Sequence, residues 1–357
     1  MSEHHEAGRR AERHAWTVVL SSLAAVLVAG LTVLAVGCRK EADPAGEENV
    51  VVLYCSADQE VSEPIVAEFQ RRTGIKVQAR YDTEAAKTVG LVQRLRAEAG
   101  RPVADVFWSN EVFHTIRLAR EGLLQPYDFA GKAAWPPQFV GEKGLWHGFA
   151  PRARVVVYNT SRVGEDEAPQ RIEDLLEAKW KGRMVMAEPQ FGTTGGHVAS
   201  WFVLYGPERA KEMLRTLKAN EVRLVAGNST VVRMVAQGQA DVGLTDTDDV
   251  YSGQRNGWPV AMKFLRHGDG GPLAIPNSVA LIAGAPHEAA ARRLVEYLLS
   301  EDVEAALAAS DAHNTPVHPS VAARFPQYAI ADPLNVNYGD VAEAVPDAIA
   351  AAGEIFE

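Results

Sequence analysis

Cysteine is almost absent from this chain: Cys38 and Cys55 are the two among 357 residues. A disulfide framework is therefore excluded, and the fold must rest on its core, which a chain of this length can build. Basic charge is also short. There are 36 Lys and Arg against 46 Asp and Glu, a formal net charge of −10. The first 37 residues contain three acids (Glu3, Glu6, Glu12) and three bases (Arg9, Arg10, Arg13), so the remainder carries the whole excess. A phosphate-backbone partner needs a basic stripe, so nucleic acid is not an expected partner. Catalytic signatures are missing too. There is no G-x-S-x-G elbow, no HExxH and no P-loop, and no nucleophile–base pair accompanies the polar segments described below. Of ten histidines, His4, His5 and His14 lie near the N-terminus, and no pair of the others has HxxxH spacing. The chain does not read as an enzyme.

The composition is otherwise ordinary for a globular protein, with 47% hydrophobic and 23% charged residues, and the length suits two domains. Trp16 to Gly37 is nearly all apolar and follows a cluster of arginines. It ends in Leu34-Ala35-Val36-Gly37 before Cys38, which resembles a bacterial lipoprotein signal cleaved before a lipidated cysteine. Ala35 stands where leucine is commoner. The alternative is an uncleaved anchor, because the run is long enough to span a bilayer. Both readings put the body outside the cytoplasm, on the periplasmic or cell-surface side. Residues 1–37 are thus expected to be a signal peptide. Residues 38–49, polar after Cys38, are expected to be a flexible tether.

Beyond the tether, hydrophobic patterning alternates between buried strands and amphipathic helices. Residues 50–54 form a continuous apolar run. A helix is expected from about Ser62, a candidate cap, to Gly74. Residues 75–81 alternate as a strand, 86–99 read as a helix and 104–108 as a third strand. This βαβαβ run within 60 residues points to a parallel sheet. Strands are expected again at 154–158, 183–187, 222–226, 240–245 and 278–283. Helices are expected at 197–204, 207–217, 231–237, 287–299 and 301–309. Two similar α/β halves with no Gly/Ser linker suggest strands crossing between domains.

Four short polar segments follow strand-like runs: Tyr54–Asp58, Ser109–Glu111, Gly192–Gly196 and Asp246–Asp249. In open α/β sheets, ligands sit beyond the carboxyl ends of strands. These segments therefore predict one polar site assembled from several loops.

The segments VVLYCSADQEVSEPIVAEFQRRTGIKV, ADVFWSNE, RARVVVYNTSRV, DLLEAKWKGRMVMAEPQFGTTGG, AGNSTVVRMVAQGQADVGLTDTDD and RHGDGGPLAIPNSVAL occur in order across residues 49–320. Together they resemble the family-1 extracellular solute-binding proteins of ABC importers, especially the ferric-ion-binding components. The resemblance implies a type II periplasmic binding fold, α/β, with two lobes. Each lobe would be a mostly parallel sheet flanked by helices, and a two-strand hinge would join them. It places lobe 1 at 49–153 and 268–325, and lobe 2 at 154–267 and 326–357. The lobes would close on a solute by rigid-body rotation. A monomer would then deliver the solute to an ABC permease driven by a separate ATPase. The implied metal positions are Asp58, Asp248 and Asp249. The other implied ligand positions are Asn110, or its neighbour Glu111, with Thr193, Thr194, Gly195, Asn228 and Asp246. The family usually presents two adjacent tyrosines where this chain has Asp248-Asp249, and often a histidine at Asp58. The loss of both phenolates separates the implied fold and transport role from the implied ferric specificity.

Each position also has a plainer reading. Three carboxylates converging in a cleft repel one another by about 4 kcal/mol per pair at 4 Å and a dielectric near 20. Something positive must then neutralise them, either a hard metal cation or an ammonium or guanidinium group on an organic solute such as an amino-phosphonate or polyamine. Alternatively, Asp248 or Asp249 caps a helix beginning at Val250. Asp58 is either a carboxylate from the facing lobe or a turn residue. Gly192–Gly196 is either an anion site at a helix N-terminus or a tight turn. Cys55 is read as packing, and His267 as half of an ion pair with its acidic neighbourhood. Arg154 would face an anion in the cleft or pair with an acid across the hinge. Asn277-Ser278 would open a strand lining the hinge. Phe107, Trp108, Trp201 and Phe202 are expected in the core.

Overall fold

The computed structural model describes residues 49–82 and 88–357. The signal segment, Cys38 and the tether up to residue 48 lie outside the described residues. No helix among the described residues is long and apolar enough to cross a membrane.

The first layer follows the sequence pattern. β1 (Val50–Cys55) leads into α1 (Gln59–Thr73), β2 (Lys76–Tyr81), α2 (Val89–Ala97) and β3 (Val106–Ser109), and β1 pairs in parallel with both β2 and β3. β1 and β3 are buried along nearly their whole length, as expected for strands covered on both faces. α1 ends at Gly74, whose φ of 71° gives the left-handed cap that glycine tolerates. The helix begins earlier than the cap expected at Ser62. Asp58 occupies the N-cap position, and Ser62 is buried inside the helix with its hydroxyl bonded back to the Asp58 carbonyl at 2.9 Å. That i−4 bond is a common use of an interior serine.

α3 (Phe113–Arg120) and β4 (Leu124–Gln125) precede the longest strand, β5 (His147–Asn159), which is buried throughout. Then come β6 (Met184–Ala187), α4 (Gly192–Tyr205), α5 (Pro207–Ala219), β7 (Arg223–Val225), α6 (Asn228–Ala236), β8 (Val242–Asp246), α7 (Thr247–Arg255) and β9 (Val260–Phe264). The chain ends with β10 (Ala274–Ile282), α8 (Glu288–Leu298), α9 (Glu301–Ala309), α10 (Pro319–Ala322) and α11 (Tyr338–Phe356).

Strand order is β2-β1-β3-β10-β5-β8-β6-β7, with β4 on β10 and β9 on β5. β5 joins the two lobes. Its first half pairs antiparallel with β10, as in Ala153 with Ala274, and its second half pairs with β8 and β9, as in Val156 with Leu244 and Lys263. Periodicity had marked only 154–158 as strand. The earlier half is a strand because β10 lies beside it, a tertiary cause that local pattern does not report. β10 likewise starts at Ala274 rather than Ser278. A second stretch of backbone passes beside Arg154, whose N–H donates to Leu273 O at 2.9 Å and whose carbonyl accepts from Leu265 N–H at 3.4 Å. A bulge interrupts the β5–β10 register between Ile275 and Asn277. Opposite it, Ala150 takes a φ of 44°, a conformation alanine rarely adopts. The Asn277 amide donates to the Ala150 carbonyl at 2.8 Å, and the buried Glu304 carboxylate accepts the Ala150 N–H at 3.3 Å.

The aromatic residues expected in the core are there. Phe107, Trp108 and Trp201 are fully buried and Phe202 nearly so. Trp108 donates to Asn277 Oδ1 at 3.4 Å and packs tilted against Phe149. Cys55 is buried in the same cluster.

α4 approaches α3 very closely at Gly196. A Cβ there would lie 2.1 Å from the Phe113 ring. Gly196→Ala should therefore destabilise the protein by about 1–3 kcal/mol, as overpacking of a tight core does. Urea unfolding measures it, and an unchanged midpoint would show that this helix contact is looser than described.

Candidate functional site

The chemistry of the cleft starts at the junction of β8 and α7, which meet with no intervening loop. Asp246 is the last residue of the strand and the N-cap position of the helix, so Asp248 and Asp249 fall in the first helical turn. The helix therefore begins at Thr247, not Val250. Carboxylates are favoured there by the partial positive charge of the helix N-terminus. One oxygen from each of Asp246, Asp248 and Asp249 lies within 4.8 Å of the others.

Asp246 is buried and held on all sides. Its Oδ1 accepts from Arg154 Nη1 at 2.7 Å. Its Oδ2 accepts from Arg152 Nε at 3.2 Å, the Thr193 hydroxyl at 2.5 Å and Asn228 Nδ2 at 2.9 Å. Burial alone would raise its pKa. The guanidinium groups of Arg154 and Arg152, with the Thr193 hydroxyl, outweigh burial and hold it below the usual carboxylate range. Arg152 and Arg154 both reach Asp246 because they are two apart on one strand and share a face. Arg152 also donates Nη2 to the Asn110 carbonyl at 2.6 Å and lies 3.4 Å from Asp248. Burial opposes its charge, but Asp248, Asp246 and Asp58 overcompensate and raise its pKa.

The facing wall comes from the ends of β1 and β3. Asn110 Oδ1 accepts from Thr88 at 2.6 Å and from Ser56 at 3.3 Å. Asp58 sits at the head of α1. These residues line one pocket: Asp58, Asn110, Arg152, Glu188, Thr193, Thr194, Asn228, Asp246, Asp248 and Asp249, with Phe191 and Gly192 closing one side. Its cavity volume is about 30 Å³, where one water needs roughly 10–15 Å³.

The glycine-threonine segment is not a loop before a helix. It is the first turn of α4, with Gly192 at a φ of 53°. Thr193 and Thr194 face Asn228, whose Oδ1 accepts from Thr194 at 3.3 Å. Gly195 does not line the pocket. A Cβ there would lie 2.7 Å from the Pro189 carbonyl oxygen, so its role is close packing of helix against turn. Asn228 likewise begins α6 rather than preceding it.

Glu111 points away from ligand chemistry. Its carboxylate accepts the Phe113 N–H at 2.6 Å and the His114 N–H at 3.2 Å, stapling the start of α3. Burial pushes it up to about 7, opposed by those N–H groups and the Ser109 hydroxyl. Among the described residues, the ion pair expected at His267 is not formed. His267 is buried with its Nε2 2.8 Å from His197 Nε2. Arg154 pairs with Asp246, the residue beside it on β8, and contacts His197. Sequence reading gives no role to Arg152 or His197 and sets Glu188 away from the site, whereas Glu188 lines the pocket. The i, i+2 spacing of Arg152 with Arg154 was the one available signal. His197 and His267, 70 residues apart, offered none.

The family model for bacterial extracellular solute-binding proteins matches residues 56–305. The chain belongs to that family. Among its relatives is iron uptake protein A1 of Synechocystis sp., 28% identical over 281 residues, covering 75% of this chain and 76% of the relative. The Fe(3+)-binding periplasmic protein of Serratia marcescens is 27% identical over 299 residues, covering 82% and 85%. Among solved structures, iron-bound HitA from Pseudomonas aeruginosa superposes with a TM-score of 0.76 at 26% identity, covering 86% of this chain and 99% of that one. The architecture is thus the two-lobe type II periplasmic binding fold. The family is one of solute-binding transport proteins rather than enzymes.

The buried histidines give this solute-binding protein an acid limit. Burial lowers His267 from 6.5 to about 4, with the Arg154 charge adding to it. The unfolded imidazole binds a proton near 6.5 and the folded one does not until about 4. Stability must therefore fall as pH drops through that window, by at most about 3 kcal/mol from this group. Denaturant unfolding between pH 7 and 4.5 should show a shallower pH slope for His267→Asn than for wild type. Equal slopes would remove His267 as the cause.

Proposed function

We propose that this protein captures a hard metal cation in the cleft and delivers it to an ABC permease and its ATPase, with ferric iron and a companion anion as the favoured cargo. The observation that carries this reading is the convergence of Asp246, Asp248 and Asp249 oxygens within 4.8 Å on a pocket wall that also includes Asp58. Carboxylate oxygens suit hard cations. The iron-binding names of the relatives and of the solved neighbour support iron in particular.

Asp246 accepts four protein hydrogen bonds, so it anchors the wall. Asp248, Asp249 and Asp58 are the metal ligands in this reading. The first turn of α4, with Thr193 and Thr194, and the nearby Arg152 guanidinium supply a seat for the small anion. The carboxylates take the place of the tyrosine pair of ferric-binding relatives. This donor set is less specific for iron, because carboxylates also serve other hard cations.

We further read residues 1–37 as a signal peptide and Cys38 as the lipidated residue. Residues 49–153 and 268–325 form lobe 1 in this reading, and 154–267 and 326–357 lobe 2, in a monomer held to the membrane from the periplasmic side.

Calorimetric titration of the lipid-free body with ferric citrate, Fe²⁺, Mn²⁺ and Zn²⁺ tests the cargo. Asp248→Ala and Asp249→Ala should each weaken cation binding at least tenfold. Glu208→Ala, at a side chain 85% exposed on α5, should not change it. Silence toward every cation would shift the assignment to an organic solute with a cationic group. For the anchor, Cys38→Ser should abolish incorporation of radiolabelled palmitate into the exported protein. Retained label would place the lipid elsewhere.

A further inference from the structure

Behind the pocket wall lies a second polar layer sealed from solvent, running from Asp246 through Arg154 and His197 to His267. Arg154 and His197 are fully buried and His267 nearly so. Arg154 donates Nη1 to Asp246 Oδ1 at 2.7 Å and to Thr193 Oγ1 at 3.2 Å, and Nε to His197 Nδ1 at 3.2 Å. Its Nη2 has no acceptor among the described residues. The plane of this guanidinium is therefore set at two places, the shared Asp246–Thr193 contact and the His197 ring. His197 sits one helical turn beyond Thr193 on α4 and packs edge-on against Trp201, with ring centroids 5.2 Å apart.

Proton positions follow from the partners. Arginine offers only donors, so His197 Nδ1 must present its lone pair. The neutral ring then carries its proton on Nε2 and donates it to His267 Nε2, 2.8 Å away. His267 must in turn carry its proton on Nδ1. A second proton on His197 would aim N–H at a guanidinium N–H. Burial and the Arg154 charge hold both rings neutral near pH 7.

From this geometry we propose that His197 is a positioning residue of the cleft: it fixes Arg154, and through Arg154 the Asp246 carboxylate and Thr193 hydroxyl that frame the ligand, while His267 accepts the proton that this tautomer carries on Nε2. Its effect on binding rests on the cation-capture reading; its tautomer does not.

Two measurements test it. Long-range ¹H–¹⁵N correlation spectra of the wild-type protein at pH 7 should show His197 protonated at Nε2 alone and His267 at Nδ1 alone. His197 protonated at Nδ1 would overturn the proposal. Ferric citrate titration of H197F, which keeps the ring volume but accepts nothing, should show affinity reduced about tenfold or more, as expected for losing a hydrogen bond to a charged group. H197N, whose Oδ1 can accept from Arg154 Nε, should bind at least threefold tighter than H197F. Affinity equal to wild type in a folded H197F, or no recovery in H197N, would overturn the proposal. If wild-type protein takes up no iron, the cargo assignment fails, and the tautomer spectra still decide the role of His197.

Discussion

The cleft depends on one buried carboxylate. Asp246 ends the strand that pairs with the second half of β5, and it gathers Arg152, Arg154, Thr193 and Asn228 around its two oxygens. A buried ion network of this kind contributes little net stability, because desolvation offsets much of the attraction. Its value here is geometric. It sets the position of the α7 N-terminus, and with it Asp248 and Asp249, against the α4 N-terminus. Loss of either arginine would leave the buried Asp246 carboxylate with one guanidinium partner instead of two.

This network also changes the electrostatics expected for the acidic segment. Three nearby carboxylates need compensation, and the protein supplies part of it through Arg152 and Arg154. A guest therefore meets a mixed surface, carboxylates beside a guanidinium and a helix N-terminus. Such a surface sets oxygen donors suited to a cation beside N–H donors suited to an anion.

The strands that connect the two lobes also border the pocket. β5 belongs to both sheets. Across from its midpoint a bulge faces Ala150 in a left-handed conformation, pinned by Asn277 and Glu304. Arg152, two residues further on, contacts Asn110 on one side of the cleft and Asp246 on the other. Residues that would feel a change in lobe orientation are thus the same residues that shape the pocket.

Much of this was legible in the linear chain. Apolar runs followed by short polar segments located the strand ends, and the β-α alternation fixed a sheet with ligand loops at one edge. Asp58, Asn110, Thr193, Thr194, Asn228, Asp246, Asp248 and Asp249 could be named because the resemblance to the solute-binding family singles out those positions among the polar segments at strand ends. What the chain could not specify was which of them are engaged with protein. The saturation of Asp246 depends on two arginines about 90 residues away, and the packing role of Gly195 depends on a carbonyl across a turn. The use of Glu111 as a helix staple and the pairing of His197 with His267 were equally hidden. Local pattern records periodicity and propensity, which arise between neighbours. Proton positions, charge compensation and close approach arise between residues that only the folded chain brings together.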